Sequence, residues 1–307
     1  MGLYALKMKY VLLFLFAVLF LTACKNQSET EQTEPGFIAG SDFFENRLQN
    51  RHAEQNIFEK AVGNARNYLP PDGFLYAGAA PHHMVAAEMI SGFYKAAAEN
   101  KNFDTVVIIA PNHSGEAGSV IVSKKDWDVG SGVLCDAEII GAVLAINIEG
   151  VTVTENDFII EFDHSASVHV PFVNHYMPNT KIAPVLLSRT LSFENTMQFA
   201  DKLIEILNGK NILLVASIDF SHFLTPAESF ERDMATLRAV NGRDLRTIHG
   251  FSNAYVDSPA SLIVYLRYLD FFGLENHVLD HADASVFMQT DETTSYFIFY
   301  AVPKRVD

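Results

Sequence analysis

Histidines follow three apolar, strand-like segments of this sequence, each within a short polar turn. The segments and their histidines are 74–80 with His82, 105–110 with His113, and 211–217 with His222. In an open α/β sheet, ligands bind in the crevice outside the carboxyl ends of the strands. Separate strands that deliver imidazoles to such a crevice provide what a metal centre or an acid–base site requires. The spacing therefore predicts a functional site at one edge of a sheet.

The elements that must hold these turns alternate between strands and helices. Helix starts are indicated by Ser192, by a capping box at Thr225, and by Ser258 before a proline, while Gly273 indicates a helix end. The predicted strands are 74–80, 105–110, 119–123, 181–187, 211–217 and 295–302, and the predicted helices are 84–98, 192–207, 230–240 and 260–272. This alternation predicts an α/β fold with helices on both faces of a sheet.

Residues 1–24 have the features of a lipoprotein signal peptide. Lys7 and Lys9 precede an apolar stretch at 11–21, which is too short for a comfortable bilayer crossing. The stretch ends in Leu-Thr-Ala-Cys, which resembles a bacterial lipobox. This resemblance implies that Cys24 is lipidated and becomes the first mature residue. An ordinary signal peptide and an uncleaved anchor are the alternatives.

The residues after Cys24 predict a tether followed by one domain. Lys25 is not the aspartate of an inner-membrane retention signal, so we expect an exported protein that is lipid-anchored at the outer membrane or cell surface. Residues 25–38 are mostly polar and predict a flexible tether. Residues 39–307 contain apolar segments throughout, without a second polar break, and predict a single domain.

The charge balance argues against nucleic-acid binding, and the cysteine count argues against an intramolecular disulfide. The chain has 22 Lys and Arg residues against 37 Asp and Glu residues, a formal net charge of −15. Such a surface repels phosphate backbones, so nucleic acid is not an expected partner. If Cys24 is acylated, Cys135 has no partner for an intramolecular disulfide. We interpret Cys135 as a small buried hydrophobic residue rather than as a nucleophile.

Several short motifs occur in a fixed order along the chain. They are Ala39-Gly40-Ser41 with Phe43-Phe44, Pro81-His82, Ala110-Pro111-Asn112-His113, His164-Ser165 with Val170-Pro171, Ser217-Ile218-Asp219-Phe220-Ser221-His222, and Ser295-Tyr296. In order and spacing, these motifs resemble those of the MEMO family, whose bacterial members are called AmmeMemoRadiSam system protein B. The resemblance extends over nearly the whole mature chain.

The resemblance implies the fold of the class III, LigB-like extradiol dioxygenases: an α/β sandwich with a central mixed sheet flanked by helices. The cleft of that fold can hold a redox-active metal. By resemblance, His82 and His113 are metal ligands, Asp219 and His222 lie nearby, and His164 contacts substrate from the rim of the cleft. We expect Asp219, His222 and His164 to be the catalytic residues, since imidazole is suited to acid–base work.

The sequence departs from the family at the third metal ligand, a cysteine four residues before a proline. Counting back from Pro259 gives Tyr255, and Ser167 likewise replaces the glutamate of the family's His-Ser-x-Glu motif. Asp257 faces the same way as Tyr255 if the segment is extended, and two histidines with one carboxylate suit Fe(II). We therefore predict His82, His113 and Asp257 as the ligands. A phenolate ligand from Tyr255, or an Asp257 that only supports a helix start, are the alternatives.

Two function classes remain open. The first is a metal-dependent oxidase or dioxygenase that acts on a small substrate with one transition-metal ion, iron or copper, with zinc as a further candidate. The second is a lipoprotein that binds a metal, a peptide or a small molecule without turnover, since fold kinship does not establish a reaction. A cluster of hydrogen-bonded histidines without metal is a third interpretation.

Overall fold

The computed structural model describes residues 46–115 and 118–304. The predicted lipobox with Cys24, the predicted tether and the motif at 39–44 lie outside the described residues. In the part of the chain that is described, no helix has both the length and the apolar character needed to cross a membrane.

The described chain forms eleven strands and ten α-helices. The strands are β1 (Leu48–Gln49), β2 (Ala77–Ala80), β3 (Thr105–Pro111), β4 (Val120–Val122), β5 (Trp127–Asp128), β6 (Gly132–Val133), β7 (Val153–Glu155), β8 (Lys181–Leu187), β9 (Ile212–Ser217), β10 (Leu274–Asp283) and β11 (Ser295–Pro303). The helices are α1 (Gln55–Gly63), α2 (Ala87–Asn100), α3 (Ala137–Leu144), α4 (Asp157–Phe162), α5 (His164–Ser167), α6 (Val170–Tyr176), α7 (Phe193–Leu207), α8 (Pro226–Gly242), α9 (Leu245–His249) and α10 (Pro259–Phe272).

Eight of the strands form one mixed sheet in the order β10-β11-β2-β9-β3-β8-β4-β7. The four strands β2, β9, β3 and β8 are parallel neighbours at its centre. Antiparallel pairs flank them, β11 with β2 on one side and β4 with β8 on the other. The short strands β1, β5 and β6 form a separate small sheet. The prediction of an α/β sandwich with a central mixed sheet is confirmed.

Helices cover both faces of the central sheet. Successive side chains of β3 point to opposite faces, so they pack alternately into two hydrophobic cores. Val107 and Ile109 pack on the face covered by α7 and α10. Val106 and Ile108 pack on the opposite face, which α2 and α6 cover. Strands covered on both faces read as continuous apolar runs, which explains why β3 and β9 stand out in the sequence.

The predicted helix ends agree with the structure. Ser192, Thr225 and Ser258 are the N-caps of α7, α8 and α10, and the capping box at Thr225 is formed with Glu228. Gly273 ends α10 in the left-handed conformation, at φ 63°. The segment predicted as a helix from residue 84 begins instead with a 3₁₀ turn at Met84–Ala86, which leads into α2.

The strand β10 was absent from the predicted elements. Among the described strands it forms an edge of the main sheet and pairs with β11 alone, with a register shift between Val278 and Asp280. The Asp280 carboxylate accepts hydrogen bonds of 2.7 Å from both Arg66 and Tyr68. Because most of its side chains are polar and only partly buried, β10 lacks the apolar run that indicates a central strand.

Candidate metal centre

Three neighbouring parallel strands end at the same edge of the sheet, and each is followed two residues later by a polar side chain. His82 follows β2, His113 follows β3 and Asp219 follows β9. Because β9 lies between β2 and β3, the three side chains arrive next to one another. This is the position that the sequence predicted for a site, at the carboxyl ends of the strands.

The His82 imidazole is buried beside two carboxylates. Its Nε2 atom lies 3.0 Å from Asp257 Oδ2 and 3.7 Å from Asp219 Oδ2. The backbone N–H of His82 also donates to Asp219 Oδ1 at 3.1 Å. The ring is therefore held against the carboxylates by its own backbone as well as by its side chain.

The two carboxylates are held by reciprocal backbone contacts. The Asp257 N–H donates to the Asp219 carbonyl oxygen at 3.1 Å, and the Asp219 N–H donates to Asp257 Oδ2 at 3.3 Å. Ser258, rather than Asp257, caps helix α10, so the Asp257 carboxylate is free to face His82. Its second oxygen, Oδ1, is buried and has no hydrogen-bond partner among the described residues.

The electrostatics around His82, Asp219 and Asp257 favour a positive charge between the imidazole ring and the two carboxylates. Burial alone would lower the pKa of His82, but the Asp219 and Asp257 carboxylates outweigh it and raise that pKa to about 9. Burial would likewise raise the pKa of Asp257, but His82 outweighs it and holds that pKa below its usual range. A proton or a metal cation is stabilised at this point.

Two more imidazoles lie on the same cleft. The His113 Nδ1 atom lies 3.0 Å from Asp163 Oδ1, and the His113 backbone N–H donates to Asp163 Oδ2 at 2.7 Å. The His164 ring stacks on the His113 ring with 4.5 Å between centroids. Burial, and then the neighbouring His82 and His113, lower the pKa of His164 to about 3, so its ring stays neutral and keeps a lone pair.

These side chains form two groups that could hold a metal ion. We call His82, Asp219 and Asp257 the carboxylate set, and His82, His113 and His164 the imidazole set. Within each set, the candidate ligand atoms all lie within 4.8 Å of one another. His82 belongs to both sets. The nitrogen and oxygen donors, together with the unpaired Oδ1 of Asp257, fit a transition-metal ion.

The predicted ligands are thus distributed between the two sets: Asp257 lies in one, His113 in the other, and His82 in both. His164 was predicted to contact substrate from the rim, and the structure brings it within ligand distance of His82. Asp163 was not predicted. Its place directly before His164 in a family motif was the only signal for it, and its role as a partner of His113 depends on the folded chain.

The other predicted or alternative site residues lie outside the two sets. His222 has a buried Nδ1 atom without a hydrogen-bond partner in the described chain, and its charge acts on Asp257. The Tyr255 hydroxyl accepts a hydrogen bond of 2.5 Å from Arg232, and its ring stacks on Phe251. His83 is hydrogen-bonded to the Tyr296 hydroxyl at 2.7 Å. The structure therefore places Asp257, rather than Tyr255, next to His82.

A cavity of about 870 Å³ lies at the other end of the sheet. It is lined by the first residues of three central strands, Thr105, Lys181 and Ile212. Neither of the two candidate metal-binding sets contributes to it. The buried groups suited to chemistry and this large cavity are thus at opposite ends of the strands.

Comparison with known proteins gives a consistent result. A family model described as "Memo-like protein" matches residues 66–300. A MEMO1 family protein of Desulfurococcus amylolyticus is 25% identical over 256 residues, which cover 78% of this chain and 83% of that protein. One from Methanosarcina barkeri is 28% identical over 222 residues, which cover 69% of this chain and 76% of that protein.

Among solved structures, an uncharacterised protein from Escherichia coli K12 has a similar fold, with a TM-score of 0.50. The match covers 73% of this chain and 99% of that chain. The sequences are only 12% identical, so the likeness concerns the fold alone.

Proposed function

The chain belongs to the Memo-like protein family, and from this premise we propose that it binds one transition-metal ion at the Nε2 atom of His82 and uses it in redox chemistry on a small substrate. The observation that carries the proposal is the contact between His82 Nε2 and two buried carboxylates, at 3.0 and 3.7 Å. A lone pair on that nitrogen would be repelled by both carboxylates. That nitrogen therefore carries either a hydrogen or a metal ion.

The unpaired oxygen of Asp257 favours the metal over the proton. A proton on Nε2 satisfies one carboxylate oxygen, Asp257 Oδ2, and leaves the buried Oδ1 without a partner among the residues that the structure describes. A buried, unpaired carboxylate oxygen is costly. A metal ion, which takes several ligands, accounts for both the charge and the additional oxygen.

The residues of the two sets would hold the ion, and His82 is the ligand common to both. His82 with one carboxylate and one further imidazole gives the donor set of non-haem Fe(II) oxygenases, which supports iron, while copper and zinc also accept these donors. A bound iron or copper ion would supply a redox-active Lewis acid in the cleft, whereas zinc would supply a Lewis acid without redox chemistry.

The chain's own residues have separate roles around that position. The Asp219 carboxylate holds the His82 backbone and contributes negative charge. Asp163 orients the His113 ring through Nδ1 and thereby leaves Nε2 of His113 for the cleft. His222 is placed to accept or donate a proton at its unpaired Nδ1 atom.

The test is metal content, measured on protein purified without chelators or a histidine tag, beside the His82→Ala/His113→Ala double variant. We expect near-stoichiometric metal that is absent from the variant, and oxygen uptake with catechol-type phenols after anaerobic Fe(II) loading. Metal binding without oxygen uptake over a broad set of phenols would replace the oxidase with a metal-binding protein that has no turnover.

The absence of metal after Fe(II), Cu(II) and Zn(II) reconstitution would overturn the proposal. That result would favour the remaining interpretation, a hydrogen-bonded cluster without metal in which a protonated His82 offsets part of the charge of the two carboxylates. The raised pKa of His82, at about 9, is the observation that supports this second interpretation.

The location of the protein is a further part of the proposal. The lipobox-like sequence that ends at Cys24 supports export and lipid anchoring of the mature chain. Metabolic labelling with a fatty acid should mark the wild-type protein and not Cys24→Ser. Equal labelling of both proteins, or no labelling of either, would contradict a lipid anchor at this residue.

A further inference from the structure

A chain of hydrogen bonds runs from His82 into the core of the protein. His82 Nδ1 lies 3.0 Å from Ser217 Oγ, and His169 Nε2 lies 2.9 Å from the same oxygen. The other nitrogen of His169, Nδ1, lies 3.0 Å from the Tyr94 hydroxyl. All four side chains are buried, with at most 2% of the residue exposed.

The position of each proton in this chain follows from the number of donors and acceptors. A serine hydroxyl has one hydrogen and two lone pairs. The Ser217 hydrogen is donated to the carbonyl oxygen of Ser165. The two imidazole nitrogens that contact Ser217 Oγ must therefore both be donors. His82 thus carries a hydrogen on Nδ1, and His169 carries one on Nε2.

The rest of the chain agrees with this assignment. Burial lowers the pKa of His169 to about 3, so that ring is neutral and its Nδ1 must be an acceptor. The Tyr94 hydroxyl, which reaches that nitrogen, is then the donor. Every polar atom from Tyr94 to His82 Nδ1 has a partner of the correct kind.

This arrangement is costly as a purely structural device, because apolar side chains would fill the same space without burying polar groups. The hydrogen bonds affect one atom that takes no part in them, the Nε2 atom of His82. Because Nδ1 of His82 is a donor, only Nε2 can offer a lone pair. That nitrogen is the one beside Asp219 and Asp257.

We propose that Ser217 and His169 are positioning residues that fix His82 in the form that presents Nε2 to the metal. The proposal rests on the metal site proposed above. Partners that orient a metal-binding histidine through its second nitrogen are usually carboxylates or backbone carbonyls. Here a serine takes that place, and a second histidine determines that the serine accepts rather than donates.

The experiment is ¹⁵N NMR of the histidine rings, in the metal-free and the Zn(II)-loaded protein, combined with Zn(II) affinity. In the wild-type protein we expect a solvent-protected Nδ1–H signal for His82 in both states and coordination at Nε2 in the loaded state. Ser217→Ala should lose the protected signal and bind Zn(II) about 10- to 100-fold more weakly, the usual cost of removing such a partner.

Ser91→Ala is the matched control, because Ser91 is also fully buried and hydrogen-bonded to a tyrosine, Tyr176, but lies outside the cluster. It should leave the His82 signals and the Zn(II) affinity unchanged. An unchanged His82 spectrum and affinity in Ser217→Ala would overturn the proposal.

A pair of variants at His169 provides a second test if Ser217→Ala does not fold. His169→Gln keeps a donor towards Ser217 and an acceptor towards Tyr94, whereas His169→Leu keeps neither. We expect the glutamine variant to retain the protected Nδ1–H signal and the leucine variant to lose it. Equal spectra for the two variants would overturn the role of His169.

The metal-free spectra separate this inference from the proposed function. If the wild-type protein binds none of Fe(II), Cu(II) and Zn(II) but its protected Nδ1–H signal depends on Ser217, the metal site fails and the orientation of His82 stands. If Zn(II) binds and the signal does not depend on Ser217, the metal site stands and the positioning role fails.

Discussion

The two sets that share His82 differ in burial, in charge and in what holds them in place. In the carboxylate set, Asp219 and Asp257 are buried and locked by each other's backbone. In the imidazole set, 36% of the His113 side chain is exposed, and His164 is held by stacking on that exposed ring. One set is charged and rigid, and the other is neutral at His164 and open to solvent.

The comparison indicates that the two sets have different roles within one cleft: one holds the ion, and the other gives access to it. The carboxylate set determines where a positive charge is held, because it combines two negative charges with burial. The imidazole set adds nitrogen donors at the solvent side, where a substrate or an exchanging ligand has access. The predictions below test whether affinity comes from the first set and access from the second.

Removal of the shared ligand should have the largest effect. His82→Ala deletes the one residue common to both sets, so neither set can compensate. Because the loss of an outer partner already costs about 10- to 100-fold, we expect the loss of His82 to weaken metal binding by more than about 100-fold. Competition with a chelator of known affinity measures this.

His277→Ala is the control for that variant, because His277 lies on β10 and pairs with Glu275 away from both sets. It should bind metal as the wild type does. A loss below tenfold in His82→Ala would show that the ion does not depend on the residue shared by the two sets.

The second prediction addresses the carboxylate set alone. Asp257→Asn keeps the shape of the side chain and removes its charge, so the pKa of His82 should fall and metal affinity should decrease by about 100-fold, or nearly 3 kcal/mol. Affinity titration and an NMR pH titration of His82 measure the two effects. Asp270→Asn removes an exposed carboxylate that pairs with Arg243 and should change neither.

The third prediction concerns the stability of the metal-free protein against pH. The pKa of His82 is raised from 6.5 to about 9, so the ion pair contributes fully below pH 6.5 and is lost as pH rises through 9. The free energy of unfolding should fall by about 3 kcal/mol over this range. Denaturant titrations at pH 6 and pH 9.5 measure it.

The same pH series in Asp257→Asn should be flatter, because one of the two charges that raise the pKa of His82 is gone. A wild-type stability that is constant over this range would contradict the strong ion pair. If the free energy of unfolding decreased equally in both proteins, the decrease would come from titratable groups other than the His82–Asp257 pair.

The smallest effect is expected from the imidazole set. His164→Ala should reduce metal affinity by less than about tenfold, as expected for a ligand at a partly solvated position where water can replace it. Its effect on any oxygen uptake should be larger than its effect on binding. A reduction in affinity as large as that of Asp257→Asn would reverse the assigned roles of the two sets.

The sequence predicted the parts of this structure that local rules determine. Fully buried strands such as β3 and β9 are apolar throughout, and the caps at Thr225 and Ser258 mark their helices directly. The position of His82 in the cleft is also predictable from the sequence, because a polar residue just past a buried parallel strand lies at the carboxyl ends of the strands, where the cleft forms.

The parts that the sequence did not reveal depend on contacts between distant segments. Asp163 reaches His113 across 50 residues, and Ser217 joins His82 and His169 across 135 and 48 residues. Nothing local distinguishes such residues from capping or turn residues. The division of the predicted ligands between two sets is also a property of the assembled cleft, since spacing along the chain does not give distances across it.

The edge strand β10 has a consequence for the behaviour of the protein in concentrated solution. A ten-residue strand whose outer side has no partner strand among the described residues is a template on which another chain can add, and this is how many sheets begin to aggregate. Here the irregularity at Val278–Asp280 interrupts the regular spacing of free N–H and C=O groups. The Asp280 carboxylate, held by Arg66 and Tyr68, fixes that interruption in place. The irregular pairing thus makes the outer side of β10 a poorer template for a strand of another molecule.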